Sequence, residues 1–354
     1  MTGFPDPNSQ CKAAAFKLKL SASPKLPTRT KLLGFIVERP ATRYIERGDQ
    51  ALHTTSQTAS GTSIVKVAGW AGWLPLPVFP AIAISFRNRV PAWLFMWALC
   101  LAIFAALKWT TWRTARNHLK PSLGRSIAYL AGWPGMDAEA FLGSGDRVRR
   151  PLVQQWLWAC AKTALGVVLL WVIARQVPVD HFLLRGWTGM VGLVFLLHFG
   201  SFHLVSLFWQ TQGIDAQPIM SNPIAASTLG EFWGRRWNLG FRQLAHELIF
   251  RPLFRRTGAI VAGLLVFLVS GLIHDLVISV PARAGYGLPT AYFLLQGLGV
   301  ILERSPWAGN VALQGKLPAR ISTLLVTAAP AYWLFHPPFV QRVILPFMRA
   351  IHAL

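Results

Sequence analysis

From residue 64 onward the chain alternates apolar stretches with short polar connections, and this alternation limits its fold more than any other feature. The apolar stretches fall at about 64–86, 91–109, 153–174, 186–209, 258–280, 288–303, 320–336 and 338–353. Most approach the ~20 helical residues that cross ~30 Å of hydrocarbon. A bilayer core leaves backbone N–H and C=O groups no water to bond, so segments of this kind span it as helices. The expected fold is therefore all-α: a polytopic integral membrane protein with seven or eight transmembrane helices. The first stretch carries Pro75, Pro77 and Pro80 and is the weakest span, and the last is short enough to lie along the surface.

Composition agrees with a bilayer as solvent. Only 14% of residues are charged, against about 25% in soluble domains, and there are 16 tryptophans, whose indoles favour the membrane–water boundary. The net charge of +22 would suit nucleic acid. The basic residues, however, sit between apolar spans rather than on one surface, which assigns them to orientation and lipid headgroups instead. Cys11, Cys100 and Cys160 are scattered and offer neither a disulfide framework nor a zinc site.

Lys and Arg also set the topology. Successive connections hold nine (1–62), two (87–90), eight (108–150), two (175–185), six (210–257), one (281–287), three (304–320), one (337–342) and one thereafter. By the positive-inside rule the high-count connections are cytoplasmic, and with them the N-terminus and both long loops, 110–150 and 210–257. The expected location is a bacterial-type inner membrane or an equivalent endomembrane. Residues 1–62, rich in Ser, Thr, Pro and basic residues, read as a disordered tail without the apolar run of a secretory signal; residues 63–354 read as the membrane domain. Within the first long loop, "RSIAYLAGWPGMDAEAFLG" (125–143) reads as an interfacial or re-entrant element packed on the bundle.

Two polar groupings interrupt this apolar chain. The first is "EFWGRRWNLGFR" (231–242). Drawn as one helix over 229–249, it gathers Leu229, Trp233, Trp237, Phe241, Leu244 and Leu248 on one stripe, with Glu231, Arg235, Asn238, Arg242 and His246 opposite. Such a helix either lies at the interface with its arginines on lipid phosphates, or uses them to hold the phosphates of a nucleotide-linked substrate. The second is "SGLIHD" (270–275), inside the apolar span 258–280. An ionisable group there marks a cavity, a relay or a reaction centre by default, and a structural histidine bonded to a backbone carbonyl is the alternative. Ser270 lies one turn before His274, and Gly263, Ser270 and Gly271 share its face, leaving room for close approach. Asp275 points about 100° away. His274 lies roughly 27 Å along the helix from Arg256 and about 10 Å from Pro281, so a cytoplasmic loop meets it only by dipping inward or through a tunnel across the protein. His198, His203, His336 and the turn "GSGDRV" (143–148) have simpler packing or boundary roles.

Taken in series, "SNPIAASTLGEFWGRRWN", "LVSGLIHDLVISVP" and "YFLLQG" resemble the wax-synthase-like branch of the membrane-bound O-acyltransferases, over about residues 200–330. In that family F-W-x-x-x-W-N precedes an apolar helix carrying S-G-x-x-H-[ED], more often with Glu where this chain has Asp275. The resemblance implies acyl transfer from a thioester, usually acyl-CoA, to a hydroxyl, with residues 210–280 as catalytic loop and histidine helix. His274 then takes the family histidine's position, as general base, and Asn238 the asparagine's, stabilising the oxyanion or orienting the base. Arg235, Arg236 and Arg242 become candidates for the CoA phosphates, with Glu231, Trp233, Trp237 and Ser270 as further substrate-site residues. No metal and no cofactor beyond acyl-CoA as co-substrate are implied; the partners are acyl-CoA, a lipid alcohol and the bilayer. The acceptor is a long-chain alcohol, with a sterol, glycerolipid or glycan hydroxyl as alternatives. A transporter using His274 in a conduction path is the reading from another class.

Overall fold

A computed structural model describes residues 69–143, 148–305 and 315–354; the N-terminal segment 1–62 and most of the turn 143–148 lie outside them. The described residues form helices and no strand. Four helices are long and apolar enough to cross a membrane: Ala92–Leu119, Val153–Gln176, Phe182–Thr211 and Leu239–Ala282. Ala71–Ser85 and Leu288–Glu303 are shorter and apolar. The stretch at 320–353 is cut into short helices, Lys316–Ala328, Ala331–Leu334, Pro337–Phe339, Val340–Ile344 and Leu345–Ala350. Pro330, at one of those junctions, and Pro337 and Pro338, at the next, each remove a donor and crowd the preceding turn.

Among the described residues, several short connections meet at one end of the helices and the two long ones at the other. At one end Arg283 Nη2 donates to Asn88 Oδ1 at 3.0 Å, and Arg342 Nη1 to the carbonyl of Ala282 at 2.9 Å. Arg175 donates to the carbonyls of His352 and Ala353, and Arg185 to that of Ala174. At the other end the two long connections pack on each other. The helices Leu123–Gly132 and Ala138–Leu142 bury Tyr129, Trp133 and Phe141 against Trp112, Ile214 and Ala216. Trp209 Nε1 ties the two by donating to the carbonyl of Gly132 at 2.9 Å. The element at 125–143 is therefore packed on the bundle, as its aromatics suggest.

One lysine escapes a reading by spans. Lys108 looks like the first residue of a connection, yet it is fully buried. Its Nζ donates to the carbonyl of Gly135 at 2.8 Å and lies 3.1 Å from the centroid of the Tyr129 ring. The amine is met by one acceptor and one aromatic face, the kind of partners a buried polar group requires.

Candidate active site

The helix that carries His274 begins after a break. Gly258 has φ 79° and ψ 174°, a backbone open to glycine alone, and it divides the run Arg251–His274 where the apolar span starts. His274 is the last α-helical residue before a π turn, Asp275–Ser279; such widened turns often accompany functional sites. His274 Nδ1 lies 2.7 Å from the carbonyl oxygen of Ser270. A carbonyl oxygen can only accept, so Nδ1 carries the proton, and in the neutral ring Nε2 holds the lone pair. Ser270 thus contributes its carbonyl, orienting the ring and selecting its tautomer. A backbone carbonyl holds this histidine, and the other nitrogen keeps its lone pair.

Asp275 is fully engaged elsewhere. Its Oδ1 accepts from Ser279 Oγ at 2.8 Å and from the N–H of Gly287 at 2.9 Å; its Oδ2 accepts from the N–H of Thr290 at 3.1 Å and from the Thr290 hydroxyl. Those amides open the helix Leu288–Glu303, whose positive end a carboxylate suits. Gly271 admits that helix closely, since a Cβ there would lie 2.6 Å from Thr290 Cα.

The aromatic–arginine segment departs from the single helix its periodicity predicts. Leu229–Glu231 starts under a Thr228 cap, Phe232–Arg236 is a π turn, Trp237 is extended, and Asn238 is left-handed (φ 42°, ψ 63°) before Leu239–Ala245. Asparagine tolerates this conformation better than most residues, and its Oδ1 faces the N–H of Phe241 at 3.5 Å, capping the new helix. That leaves the NH₂ group as the donor the carboxamide still offers. The break is held from outside by backbone bonds from Ser221 N–H to the Arg236 carbonyl (2.8 Å) and from Leu239 N–H to the Ile219 carbonyl (2.9 Å).

Two of the predicted substrate residues hold this turn together. Glu231 Oε1 accepts from Arg236 Nε at 2.8 Å and Nη2 at 2.6 Å, and its Oε2 accepts from the N–H of Ser227 at 2.8 Å. Arg236 Nη1 also donates to the carbonyls of Ser221 and Asn222. Partial burial pushes the Glu231 carboxyl upward, but the Ser227 amide and the Arg236 and Arg235 guanidiniums outweigh it and hold the group below its ordinary value. Arg235 is exposed and Arg242 half-buried.

The two groupings meet through residues that their own motifs do not contain. The Phe293 ring lies 4.4 Å from that of His274 and 5.7 Å from that of Trp233. Trp233 Nε1 donates to Gln296 Oε1 at 3.2 Å, and its ring is 6.5 Å from Trp237, the residue before Asn238. Trp237 in turn stacks on Phe232 at 5.4 Å. At its far end Leu288–Glu303 holds the loop: Glu303 Oε1 accepts from Leu229 N–H at 2.7 Å and Oε2 from Gly230 N–H at 3.1 Å. One helix therefore takes a carboxylate from the histidine segment at its start and gives one to the asparagine segment at its end. The long loop does dip inward, since Trp233 reaches the ring that His274 touches. Phe293 and Gln296 lie within "YFLLQG", whose apolar run gives no local sign of a role. His198 packs against Phe202 at 5.5 Å, and His336 caps a turn by accepting from Phe339 N–H at 3.3 Å.

This region is also where known proteins match. Residues 216–295 match the model of the Membrane bound O-acyl transferase family. The chain is 30% identical over 200 residues to Probable long-chain-alcohol O-fatty-acyltransferase 2 of Arabidopsis thaliana, covering 48% of this chain and 57% of that one. It is 31% identical over 143 residues to Long-chain-alcohol O-fatty-acyltransferase of Simmondsia chinensis, 37% of this chain and 40% of that one. To Acyl-CoA--sterol O-acyltransferase 1 of Arabidopsis thaliana it is 30% identical over 139 residues, 36% and 39% of the two chains. The chain spans about half the length of the curated relatives it matches. The resemblance to the membrane-bound O-acyltransferases thus holds over the stretch bearing both motifs. Within that class, the similarity is to long-chain-alcohol acyltransferases of wax-synthase type.

Proposed function

We propose that this protein is a multi-pass membrane enzyme that transfers a fatty acyl group from acyl-CoA to the hydroxyl of a long-chain alcohol, forming a wax ester. The observation that carries the reading is the state of His274: Nδ1–H is committed to the Ser270 carbonyl, and the ring packs on Phe293, which the asparagine segment also reaches through Trp233. In this scheme His274 Nε2 takes the alcohol proton as the oxygen attacks the thioester carbon. The carbonyl oxygen becomes an oxyanion, and the Asn238 NH₂ donates to it. Collapse expels CoA as a thiolate, which recovers the proton from the imidazolium. Both substrates meet in one ternary complex, so no serine or cysteine nucleophile is needed. The membrane domain is 63–354, with 210–280 as its catalytic part.

The loop end is assigned to the cytoplasm, where its basic residues belong and CoA is found. Arg235 and Arg242 are the candidates for the CoA phosphates; Arg236 supports the turn. A sterol acceptor is the second reading, favoured by the sterol acyltransferase among the relatives. A conduction role for His274 has no comparable support.

The test incubates membranes containing the full chain with labelled acyl-CoA and a panel of alcohols and sterols. Ester formation should fall at least ~100-fold in His274→Ala, the lower range of a general base's contribution, and by ~10²-fold in Asn238→Ala if it serves the oxyanion. Full activity in a correctly inserted His274→Ala would remove the proposed base.

A further inference from the structure

At the end of the molecule opposite the long loops lies a concavity of about 490 Å³, within the ~300–1,000 Å³ range of small-molecule sites. Arg87, Arg283 and Arg342 line it, with Asn88 and Tyr286 as further polar groups and Val90, Phe95 and Val280 as apolar wall. The three arginines come from three connections far apart in sequence, and no carboxylate lines the space among the described residues. Two of them are fixed by neutral partners. Arg342 Nη1 bonds the Ala282 carbonyl at 2.9 Å, and Arg283 Nη2 bonds Asn88 Oδ1 at 3.0 Å. Arg87 makes no side-chain hydrogen bond among the described residues. Three like charges sharing one hollow repel each other unless an anion joins them. Guanidinium forks in such an array suit the oxygens of a phosphate.

The level of the site along the helices identifies the source of that phosphate. Ala92, the first residue of one membrane-length helix, and Ala282, the last of another, both line the hollow. Its arginines therefore stand where apolar helices end, at the depth of lipid headgroups. Charge counting makes this convergence notable. Few basic residues occupy this end, and Arg175 and Arg185 are spent on backbone carbonyls, yet three others face one space. We propose that this concavity binds the phosphate of an anionic glycerophospholipid, with the headgroup on Arg87, Arg283 and Arg342 and an acyl chain running along the Phe95 and Val280 wall. This inference does not depend on the acyl-transfer reading.

The test uses the full chain purified in a phosphate-free neutral detergent and native mass spectrometry of retained lipid. Phosphatidylglycerol should be retained by the wild type. Retention should drop about ten-fold or more in Arg87→Gln/Arg342→Gln, since charge-assisted hydrogen bonds of ~1.5–3 kcal/mol are lost. Arg87→Gln alone, which removes no structural bond, should lower retention severalfold with an unchanged melting temperature. Equal retention by the single and double variants and the wild type would overturn the site. Displacement of the lipid by millimolar inorganic phosphate as readily as by added phosphatidylglycerol would overturn the lipid as its source.

Discussion

Asp275 and Thr290, 15 residues apart, are joined twice: one carboxylate oxygen takes both the backbone N–H and the hydroxyl of the threonine. The acid beside the candidate base is thus the cap of the next helix. Asp275→Ala should destabilise the protein by about 1–3 kcal/mol, the usual result of leaving donors unpaired. Asp275→Asn, with one acceptor oxygen, should fall between. Thermal unfolding in detergent reads both. An Asp275→Ala protein that melts like the wild type but makes no ester would instead assign the acid to the chemistry.

Two glycines of the histidine helix should answer oppositely to a methyl group. At Gly271 a Cβ would lie 2.6 Å from Thr290 Cα, whereas at Gly263 nothing stands within 4 Å. Gly271→Ala forces the two helices apart, at a cost of about 1–3 kcal/mol, and shifts the ring one turn away. Ester formation should drop with it. Gly263→Ala should be neutral or slightly stabilising through helix propensity. Equal behaviour of the two would discount the close crossing.

Glu303 holds the start of the aromatic–arginine segment by two amides, at 2.7 and 3.1 Å. Removing it in Glu303→Ala should free that segment, and trypsin should cut at Arg235 or Arg236 faster than in the wild type. Ester formation should fall by about ten-fold or more, as expected for ~1.4 kcal/mol of lost positioning. Cleavage at the wild-type rate would show that the segment does not need this anchor.

Acid should loosen the same turn. The Glu231 carboxyl is held below its ordinary value of 4.5, with the Ser227 amide and Arg236 outweighing burial. A lowered folded-state pKa means that its contribution is complete above about 4.5 and is lost as pH falls through the lower, folded value. In Glu231→Gln that acid-dependent part of the unfolding profile should vanish, while the neutral-pH protein becomes less stable. Melting temperature followed from pH 6 downward checks both.

Both candidate side chains, His274 and Asn238, and the span that carries one of them stand out in the sequence, because an ionisable residue in an apolar run and a polar–aromatic grouping in a loop are conspicuous locally. The start of that span is legible too, at Gly258, where the backbone turns to φ 79°. The break at Asn238 is not, since a helical projection assumes the continuity that one left-handed residue removes. Phe293 and Gln296 escape for another reason: their roles come from what crosses them, Trp233 and His274, and not from their neighbours in the chain. Lys108 was hidden by the same rule that found the topology, which assigns a lysine at the edge of an apolar run to a connection although its amine is buried on Tyr129.

Leu288–Glu303 has 16 residues and so measures about 24 Å. Fastened by an acidic group at each tip, it works as a calliper between the histidine segment held at Thr290 and the loop segment held at Glu303. Deleting one residue between them would shorten the gauge by about 1.5 Å and swing Glu303 some 100° around the axis. A deletion placed after Gln296 would spare every side chain of the site and change their spacing.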